Sequence, residues 1–149
     1  MPSVMRRMNV VSRCQAIYRS RALESEDILS CHHAFVLAIC HNPGMSQDAI
    51  AKRICLNKST VTRALSYLEE RGYVRREPKA EDKRVLLIYP TEKMLNVLPR
   101  VEKITRDWNR EISEEIPDEE MKTFLLVLEK LEARAREAVF GRDVGATEK

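Results

Sequence analysis

The sequence is poor in glycine, in aromatic residues and in long apolar runs. Its 149 residues include 4 glycines, and aromatic residues make up 5% of the chain. β-Sandwiches and β-barrels need many tight turns, so the scarcity of glycine disfavours both architectures. No apolar run approaches the roughly 20 residues of a membrane-spanning helix, and none follows the N-terminal residues as in a signal peptide. We therefore expect a cytoplasmic protein.

Motifs that carry chemistry are also scarce. The four cysteines are too few for a disulfide framework, and none belongs to a Cys-x-x-Cys pair. The chain has no glycine-rich phosphate-binding loop and no nucleophile elbow, and its Cys, His and acidic residues follow no catalytic order. The sequence therefore predicts a protein that is not an enzyme and needs no cofactor.

The charge is unevenly distributed along the chain. The formal net charge is +3, but residues 52–84 hold ten basic and five acidic groups and carry +5 on their own. Residues 1–51 carry +1 and residues 85–149 carry −3. A positive block in a soluble protein is a candidate surface for a polyanion such as nucleic acid. An ordinary solvated face is the alternative, and the order of residues inside the block decides between them.

Most of the chain is patterned for helices. Apolar residues at helical spacing predict an amphipathic helix over residues 4–23 and a largely buried helix over residues 28–40. Residues 25–27 offer a cap between them. A Pro43-Gly44 turn follows, and Ser46 is the N-cap candidate of a short third helix.

The middle of the chain predicts a helix-turn-helix followed by a hairpin. A fourth helix begins after the N-cap candidate Asn57 and ends near Arg71, with Gly72 suited to the position just beyond its C-terminus. The apolar stripe of this helix consists of Val61, Ala64, Leu65 and Leu68. Two β-rich runs, residues 73–77 and 85–89, then flank a seven-residue charged loop. This order of elements is a winged helix-turn-helix.

Two long helices are predicted after the hairpin. Thr91 caps the first, residues 113–118 form the break, and the second runs from residue 119 to about residue 140. The predicted fold class is mainly α with a small β-hairpin wing. The apolar stripes of the helices at both ends of the chain need a partner surface.

The outward face of the fourth helix suits the DNA major groove. An α-helix fits that groove, and small hydroxyl residues allow it to sit deep. Arg63 can reach a guanine through two hydrogen bonds, while Lys58 and the helix N-terminus suit a phosphate. The predicted DNA-contacting residues of this helix are Asn57, Lys58, Ser59, Thr60, Thr62, Arg63 and Ser66.

The tip of the hairpin is the second candidate DNA contact. Lys79, Lys83 and Arg84 project from a loop that is too short to bury them, and such a tip can enter the minor groove. Asp82 belongs to the same site, but DNA repels a carboxylate. We therefore expect Asp82 to orient Arg84 or a cation of the fourth helix. A solvated turn is the alternative.

Two stretches of the sequence resemble a known family. The recognition helix and first wing strand of the MarR family of bacterial regulators are similar to residues 56–76, Leu-Asn-Lys-Ser-Thr-Val-Thr-Arg-Ala-Leu-Ser-Tyr-Leu-Glu-Glu-Arg-Gly-Tyr-Val-Arg-Arg. Glu81-Asp-Lys-Arg-Val resembles the family's Asp-x-Arg wing signature, at Asp82 and Arg84. The chain departs from the family at Thr91-Glu-Lys-Met, where Thr-x-x-Gly is common.

The resemblance covers the whole chain and implies a function. It implies a homodimer that binds pseudo-palindromic double-stranded DNA and usually represses transcription. On this basis residues 28–90 form the winged helix-turn-helix DNA-binding region, and residues 1–27 and 91–149 form a helical dimerisation region. It also implies relief by a small effector, with a phenolic or aromatic ligand favoured over thiol oxidation or metal. A winged-helix protein-interaction module without DNA binding is the alternative.

The remaining candidates are cysteines, histidines and one tryptophan. Metal-sensing relatives draw ligands, often histidine, from the first long C-terminal helix, but residues 91–116 contain no histidine, so we predict no metal site. Trp108 and His33 are candidates for the effector pocket that the resemblance implies. Cys14, which follows Arg13, is the redox candidate. Burial is predicted for the other three cysteines, which are Cys31, Cys40 and Cys55.

Overall fold

A computed structural model describes residues 3–24 and 28–141, and within these ranges the chain forms six α-helices and one three-stranded sheet. The cap predicted at residues 25–27, and residues 142–149 of the predicted dimerisation region, lie outside the described residues. The chain divides into two compact units, the first reaching Trp108 and the second beginning at Asn109. Each helix in the described ranges is too short or too polar to span a membrane.

The first helix, α1 (Val4–Ala22), confirms the predicted span. Ser3 forms its N-cap, because its hydroxyl oxygen accepts a hydrogen bond of 3.3 Å from the backbone N–H of Arg6. None of the helical residues is buried. Its exposed apolar side chains include Val4, Met5, Val10, Val11 and Ile17.

The second predicted helix is interrupted at its start. Residues 28–40 were expected to form one helix, but Leu29 has an extended backbone and a single 3-10 turn follows at Ser30–His32. The helix α2 (His33–His41) begins only after that turn. Ile28 is buried and Leu29 is exposed, so burial anchors the chain at Ile28 and the helix begins after it. The predicted burial of most of this helix is confirmed, since Phe35, Val36, Ala38 and Ile39 are buried.

The helix-turn-helix matches the prediction closely. The helices α3 (Gln47–Ile54) and α4 (Lys58–Glu70) begin at the N-caps Ser46 and Asn57, whose side chains accept from the backbone N–H groups of residues 49 and 60. Between them Cys55 has a left-handed backbone with φ of 54°, which turns the chain. Gly72, with φ of 73°, follows α4 as expected. Three residues of the predicted α4 stripe are fully buried: Val61, Leu65 and Leu68.

The wing has one strand more than the hairpin that was predicted. The strands β1 (Met45–Ser46), β2 (Val74–Pro78) and β3 (Leu86–Pro90) form an antiparallel sheet in the order β1-β3-β2. Strand β1 is only two residues long and pairs with β3 far along the chain, so no local pattern marks it. Gly44 precedes it with φ of 85°, and a Cβ there would lie 3.1 Å from the Tyr89 hydroxyl oxygen.

The core of the first unit joins the helix-turn-helix, the sheet and α5 (Glu92–Ser113), a helix that runs through Pro99. Thr91 lies immediately before α5, where its hydroxyl donates to the Gly72 carbonyl at 2.6 Å and accepts from the Met94 N–H at 3.4 Å. This hydroxyl caps α5, as predicted, and ties its start to the end of α4. Fully buried members of the core include Phe35, Val36, Ile39, Ile50, Val61, Leu65, Leu68, Ile88, Met94 and Val101.

The second unit contains the end of α5 and the helix α6 (Asp118–Phe140), which confirms the predicted second C-terminal helix. Its first turn holds three acidic residues, which the positive end of the helix dipole stabilises. None of the residues of α6 is buried. Its exposed apolar side chains are Phe124, Leu125, Leu126, Val127, Leu131 and Val139.

Candidate nucleic-acid interface

The start of α4 is organised by Asn57. Its side-chain oxygen accepts hydrogen bonds of 2.8 Å from the Thr60 backbone N–H and from the Ser59 hydroxyl. Both Asn57 and Ser59 are exposed, whereas Thr60 is half-buried. The cap uses only the side-chain oxygen of Asn57. Its amide NH₂ group has no partner among the described residues and is available to donate to an acceptor such as a phosphate oxygen.

Thr62 is held between the two helices of the helix-turn-helix. Its hydroxyl donates to the Lys58 carbonyl at 2.8 Å and accepts a hydrogen bond from the side-chain amide of Gln47. The only hydroxyl proton of Thr62 is therefore used inside the protein, and its partner Gln47 lies beside the predicted face. The sequence did not identify Gln47 as a partner of the recognition helix. Its position directly after the N-cap Ser46, at the start of α3, was the one feature that could have suggested this role.

The two cations of this face differ in their surroundings. Lys58 forms an ion pair with Asp48, with 3.1 Å between Nζ and Oδ2, and both side chains are mostly exposed. Such a surface pair contributes little, so a phosphate can compete for the ammonium group. Arg63 is exposed, and its side chain has no hydrogen-bond or ion-pair partner within residues 3–24 and 28–141. The guanidinium is thus free to reach a base edge or a phosphate.

Asp82 organises the tip of the wing. Its Oδ1 accepts from both the backbone N–H and the Nε of Arg84, each at 3.1 Å. The Arg84 side chain remains 91% exposed, so the carboxylate directs the guanidinium without covering it. Of the two predicted roles for Asp82, the structure shows the first, orientation of Arg84. Lys79 and Lys83 are exposed on the same tip.

The predicted DNA-contacting residues all lie in the first unit, on α4 and on the wing. Ser66, toward the end of α4, is half-buried and accepts a hydrogen bond of 3.1 Å from Nη2 of Arg76 in β2. The exposed members are therefore concentrated in the first half of α4 and at the wing tip. Sequence reasoning did not identify Arg76 as a link between these two elements.

The effector candidates His33 and Trp108 lie where α1 and α2 meet α5. His33 is buried, and its Nε2 forms a hydrogen bond of 2.7 Å with the Thr105 hydroxyl. Burial, and secondarily the charge of Arg19, lowers the pKa of His33 to about 4, so it is neutral at pH 7. Trp108 packs against Tyr18 with 5.2 Å between ring centroids. Arg19 Nε is buried and has no hydrogen-bond partner among the described residues, and burial lowers its pKa.

The predicted burial of the cysteines is wrong at two of three positions. Cys31 and Cys55 are exposed because they lie in the 3-10 turn and in the turn between α3 and α4. Cys40 is half-buried, and burial together with Glu102 raises the pKa of its thiol to about 11. Cys14 is exposed on α1. In the described parts of the chain, His, Cys, Asp and Glu form no cluster of three that could hold a metal.

The fold and this surface define the class of the protein: a winged helix-turn-helix protein. The profile of the MarR family matches residues 29–86. The transcriptional regulator HosA of Escherichia coli is 30% identical over 108 residues, which cover 72% of this chain and 80% of HosA. The chain belongs to the MarR family of winged helix-turn-helix transcriptional regulators.

Other relatives agree with this assignment. The uncharacterized HTH-type transcriptional regulator YybA of Bacillus subtilis is 25% identical over 99 residues, which cover 66% of each chain. The crystal structure of the transcriptional regulator SlyA has a TM-score of 0.88 at 24% identity, and the match covers 91% of this chain and 96% of the SlyA chain. A Listeria monocytogenes protein assigned to the MarR family, solved with a 26mer DNA, has a TM-score of 0.89 at 18% identity. That match covers 100% of this chain and 99% of the Listeria chain. At such identities the structures show the shared fold.

Proposed function

We propose that this protein is a sequence-specific double-stranded DNA-binding transcriptional regulator. In this proposal the first half of α4 enters the major groove and the wing tip enters the neighbouring minor groove. The observation that carries the proposal is the exposed Arg63 on the capped start of α4, beside a wing whose Arg84 is directed outward by Asp82. The DNA complex of the Listeria relative supports it by analogy.

Electrostatics support the same function. Residues 52–84, which contain α4 and most of the wing, carry +5 within a chain of net charge +3. Each phosphate that such a surface neutralises releases counterions, so affinity for DNA falls steeply as salt rises. Because the chain as a whole is only weakly basic, we expect loose binding to random DNA and a dependence on specific contacts.

We further propose that the protein acts as a homodimer. Two helices expose apolar side chains, α1 in the first unit and α6, whose exposed residues include Phe124 and Leu125. Exposed apolar side chains gathered on one helix are typical of a protein–protein interface, which supports the proposal. A two-fold dimer presents two copies of α4 to the two halves of a pseudo-palindromic site.

An anionic aromatic molecule is the proposed effector, and repression relieved by it is the proposed mode of action. The unpartnered Arg19 Nε would donate to a carboxylate, and because the nearby His33 is neutral, Arg19 would supply the positive charge that attracts the anion. Tyr18 and Trp108 offer aromatic rings in the same unit. Thiol oxidation at the exposed Cys14 is the second candidate signal.

A transcriptional regulator acts where the chromosome lies, so we expect this protein in the cytoplasm.

Selection of DNA by the wild-type protein tests the proposal. A pool of random duplexes is enriched over several rounds, and binding to the selected duplex is measured by gel retardation at low and moderate salt. We expect Arg63→Ala and Arg84→Ala to weaken specific binding by roughly tenfold or more, as the loss of a base or groove contact does. Lys103→Ala, on α5 outside the surface, is the control and retains binding.

An absence of retardation at low salt would favour the alternative, a winged-helix module that binds a protein partner. In that case affinity capture with the wild-type chain should recover one partner, and Arg63→Ala should leave the capture unchanged.

For the effector, a thermal-shift screen of aromatic acids identifies ligands that raise the unfolding midpoint, since a ligand that binds the folded state stabilises it. A genuine effector must also release the selected duplex.

A further inference from the structure

The second half of α4 is joined to the first wing strand by one side chain. Arg76 of β2 donates a hydrogen bond from Nη2 to the Ser66 hydroxyl at 3.1 Å, and its buried Nε forms an ion pair with Oε2 of Glu69 at 3.1 Å that lacks hydrogen-bond geometry. Ser66 and Glu69 are three positions apart and therefore lie on one face of the helix. The Arg76 side chain is only 17% exposed, so this guanidinium is held between the two elements.

The neighbouring Arg75 lies on the opposite face of the same strand. Arg76 is paired with the buried Ile88 across the sheet, whereas Arg75 is paired with Tyr89, whose ring lies 4.6 Å from its guanidinium carbon. Arg75 also forms an ion pair with Glu77, within its own strand. Because side chains alternate across a strand, only one of these two adjacent arginines faces α4. The pair offers a matched comparison within one strand.

The link matters because the wing is a lever. Its base is fixed beside α4 by backbone hydrogen bonds, from Tyr73 N–H to the Leu68 carbonyl and from Gly72 N–H to the Glu69 carbonyl. From there β2 extends over roughly 13 Å, so a tilt of about 10° at its base moves the far end by about 2 Å. A displacement of that size separates a hydrogen-bonding pair. Arg76 ties the middle of β2 to α4, at the level where β3 is itself paired with β1 through Ile88 and Met45, and so restrains this tilt.

We propose that Arg76 is a positioning residue that sets the angle between the recognition helix and the wing. With the angle fixed, Arg63 in the major groove and Arg84 in the minor groove engage one half-site together, and the second contact forms at a high effective concentration. Without Arg76 the angle is not fixed, so the wing loses conformational entropy when it binds, and that loss weakens the affinity for DNA. The inference rests on the proposed DNA-binding function and assigns Arg76 no contact with DNA.

The test compares Arg76→Gln with Arg75→Gln, because each variant loses one positive charge from the same strand. The probes are the duplex selected by the wild-type protein and a scrambled duplex of equal composition, with affinities measured by fluorescence anisotropy. We expect Arg76→Gln to weaken binding to the selected duplex by roughly tenfold through the lost cooperation of two contacts. Binding to the scrambled duplex, and both affinities of Arg75→Gln, should change by less than about threefold.

A double-mutant cycle separates positioning from general loss of structure. If Arg76 acts through the wing, adding Arg76→Gln to Arg84→Ala costs little more affinity, because the wing contact is already lost. A loss of folding would add to the effect of Arg84→Ala instead. Arg76→Lys provides a second variant with the charge retained, and we expect partial recovery because one ammonium group cannot reproduce the two-sided guanidinium contact. Thermal unfolding midpoints are recorded for every variant.

Two results would overturn the inference: equal affinities for Arg76→Gln and Arg75→Gln, or full additivity of Arg76→Gln and Arg84→Ala. Recovery by the charge-swapped pair Glu69→Arg with Arg76→Glu would support it strongly. If the wild-type protein itself fails to prefer the selected duplex, the proposed function fails and this inference fails with it. If the wild type binds and only the matched comparison fails, the DNA-binding proposal stands without a role for Arg76.

Discussion

The core of the first compact unit and the helix α6 of the second differ in how far their apolar side chains are buried. In the first unit Val36, Leu65 and Ile88 are fully buried in a core that closes on itself. In α6 of the second unit no residue is buried, and Phe124 and Leu125 are 54% and 53% exposed. Since burial of apolar surface is the main favourable term in folding, the first unit contains its own source of stability. In the proposed homodimer, α6 buries its apolar side chains against a second copy of the chain and is stabilised by that contact.

The largest effect is expected in the closed core. Leu65 lies on the inner face of α4 and is fully buried, so Leu65→Ala leaves a cavity and should lower the free energy of unfolding by about 2–5 kcal/mol. Leu95→Ala, at a position that is 46% exposed, is the matched control and should lower it by less than about 1 kcal/mol. Urea unfolding followed by circular dichroism measures both. Equal losses would show that the core does not close around Leu65.

The buried His33 should make the first unit sensitive to acid. Its pKa is lowered from 6.5 to about 4 in the folded state, so between these pH values the unfolded state binds more protons. The stability that requires neutral His33 is complete above pH 6.5 and is lost as the pH falls toward 4, by up to about 3 kcal/mol. Urea unfolding of the wild type and of His33→Gln from pH 7 to pH 4 measures it. Parallel curves for the two proteins would contradict the prediction.

The exposed face of α6 should respond through the dimer. Phe124→Ser removes a large exposed apolar group and should raise the dimer dissociation constant by roughly tenfold to a hundredfold. Lys122→Ser, at an exposed polar position of the same helix, is the control. Sedimentation velocity over a dilution series measures the association. A wild-type chain that is monomeric throughout the series would remove the contrast between the two units.

The smallest effect is expected at the pair of Asp48 and Lys58. Asp48→Asn removes an exposed ion pair at the start of α3, so the free energy of unfolding should fall by less than about 1 kcal/mol. Affinity for the selected duplex should rise severalfold, because Lys58 is released and a negative charge beside the phosphates is lost. Chemical unfolding and anisotropy titrations measure the two quantities. Unchanged or weaker DNA binding would argue against a phosphate contact at Lys58.

Local patterns account for the features that the sequence predicted well. The caps Ser46 and Asn57, the stripe of α4 and Gly72 after its end all depend on residues within a few positions of one another. The same holds for Asp82 and Arg84, two positions apart at the wing tip. Each of these features could be predicted because its partner lies nearby in the chain.

Features that depend on distant partners were missed. Strand β1 exists because Met45 and Ser46 pair with β3, some forty residues later in the chain. The link from Arg76 to Ser66 and the link from Gln47 to Thr62 likewise need the packed fold. The start of α2 was placed too early because Ile28 is anchored in the core before the helix begins. Packing, which no single stretch of sequence encodes, decides these positions.

Hydroxyl-radical footprinting of the wild-type protein on its selected duplex tests the central claim most directly. A dimer that places two copies of α4 in successive major grooves should protect two symmetric half-sites whose centres are about one helical turn, roughly 10 base pairs, apart. The minor groove flanking each half-site should also be protected by the wing, and Arg84→Ala should remove that flanking protection alone. A single unsymmetrical protected segment, or no protection at saturating protein, would contradict the account.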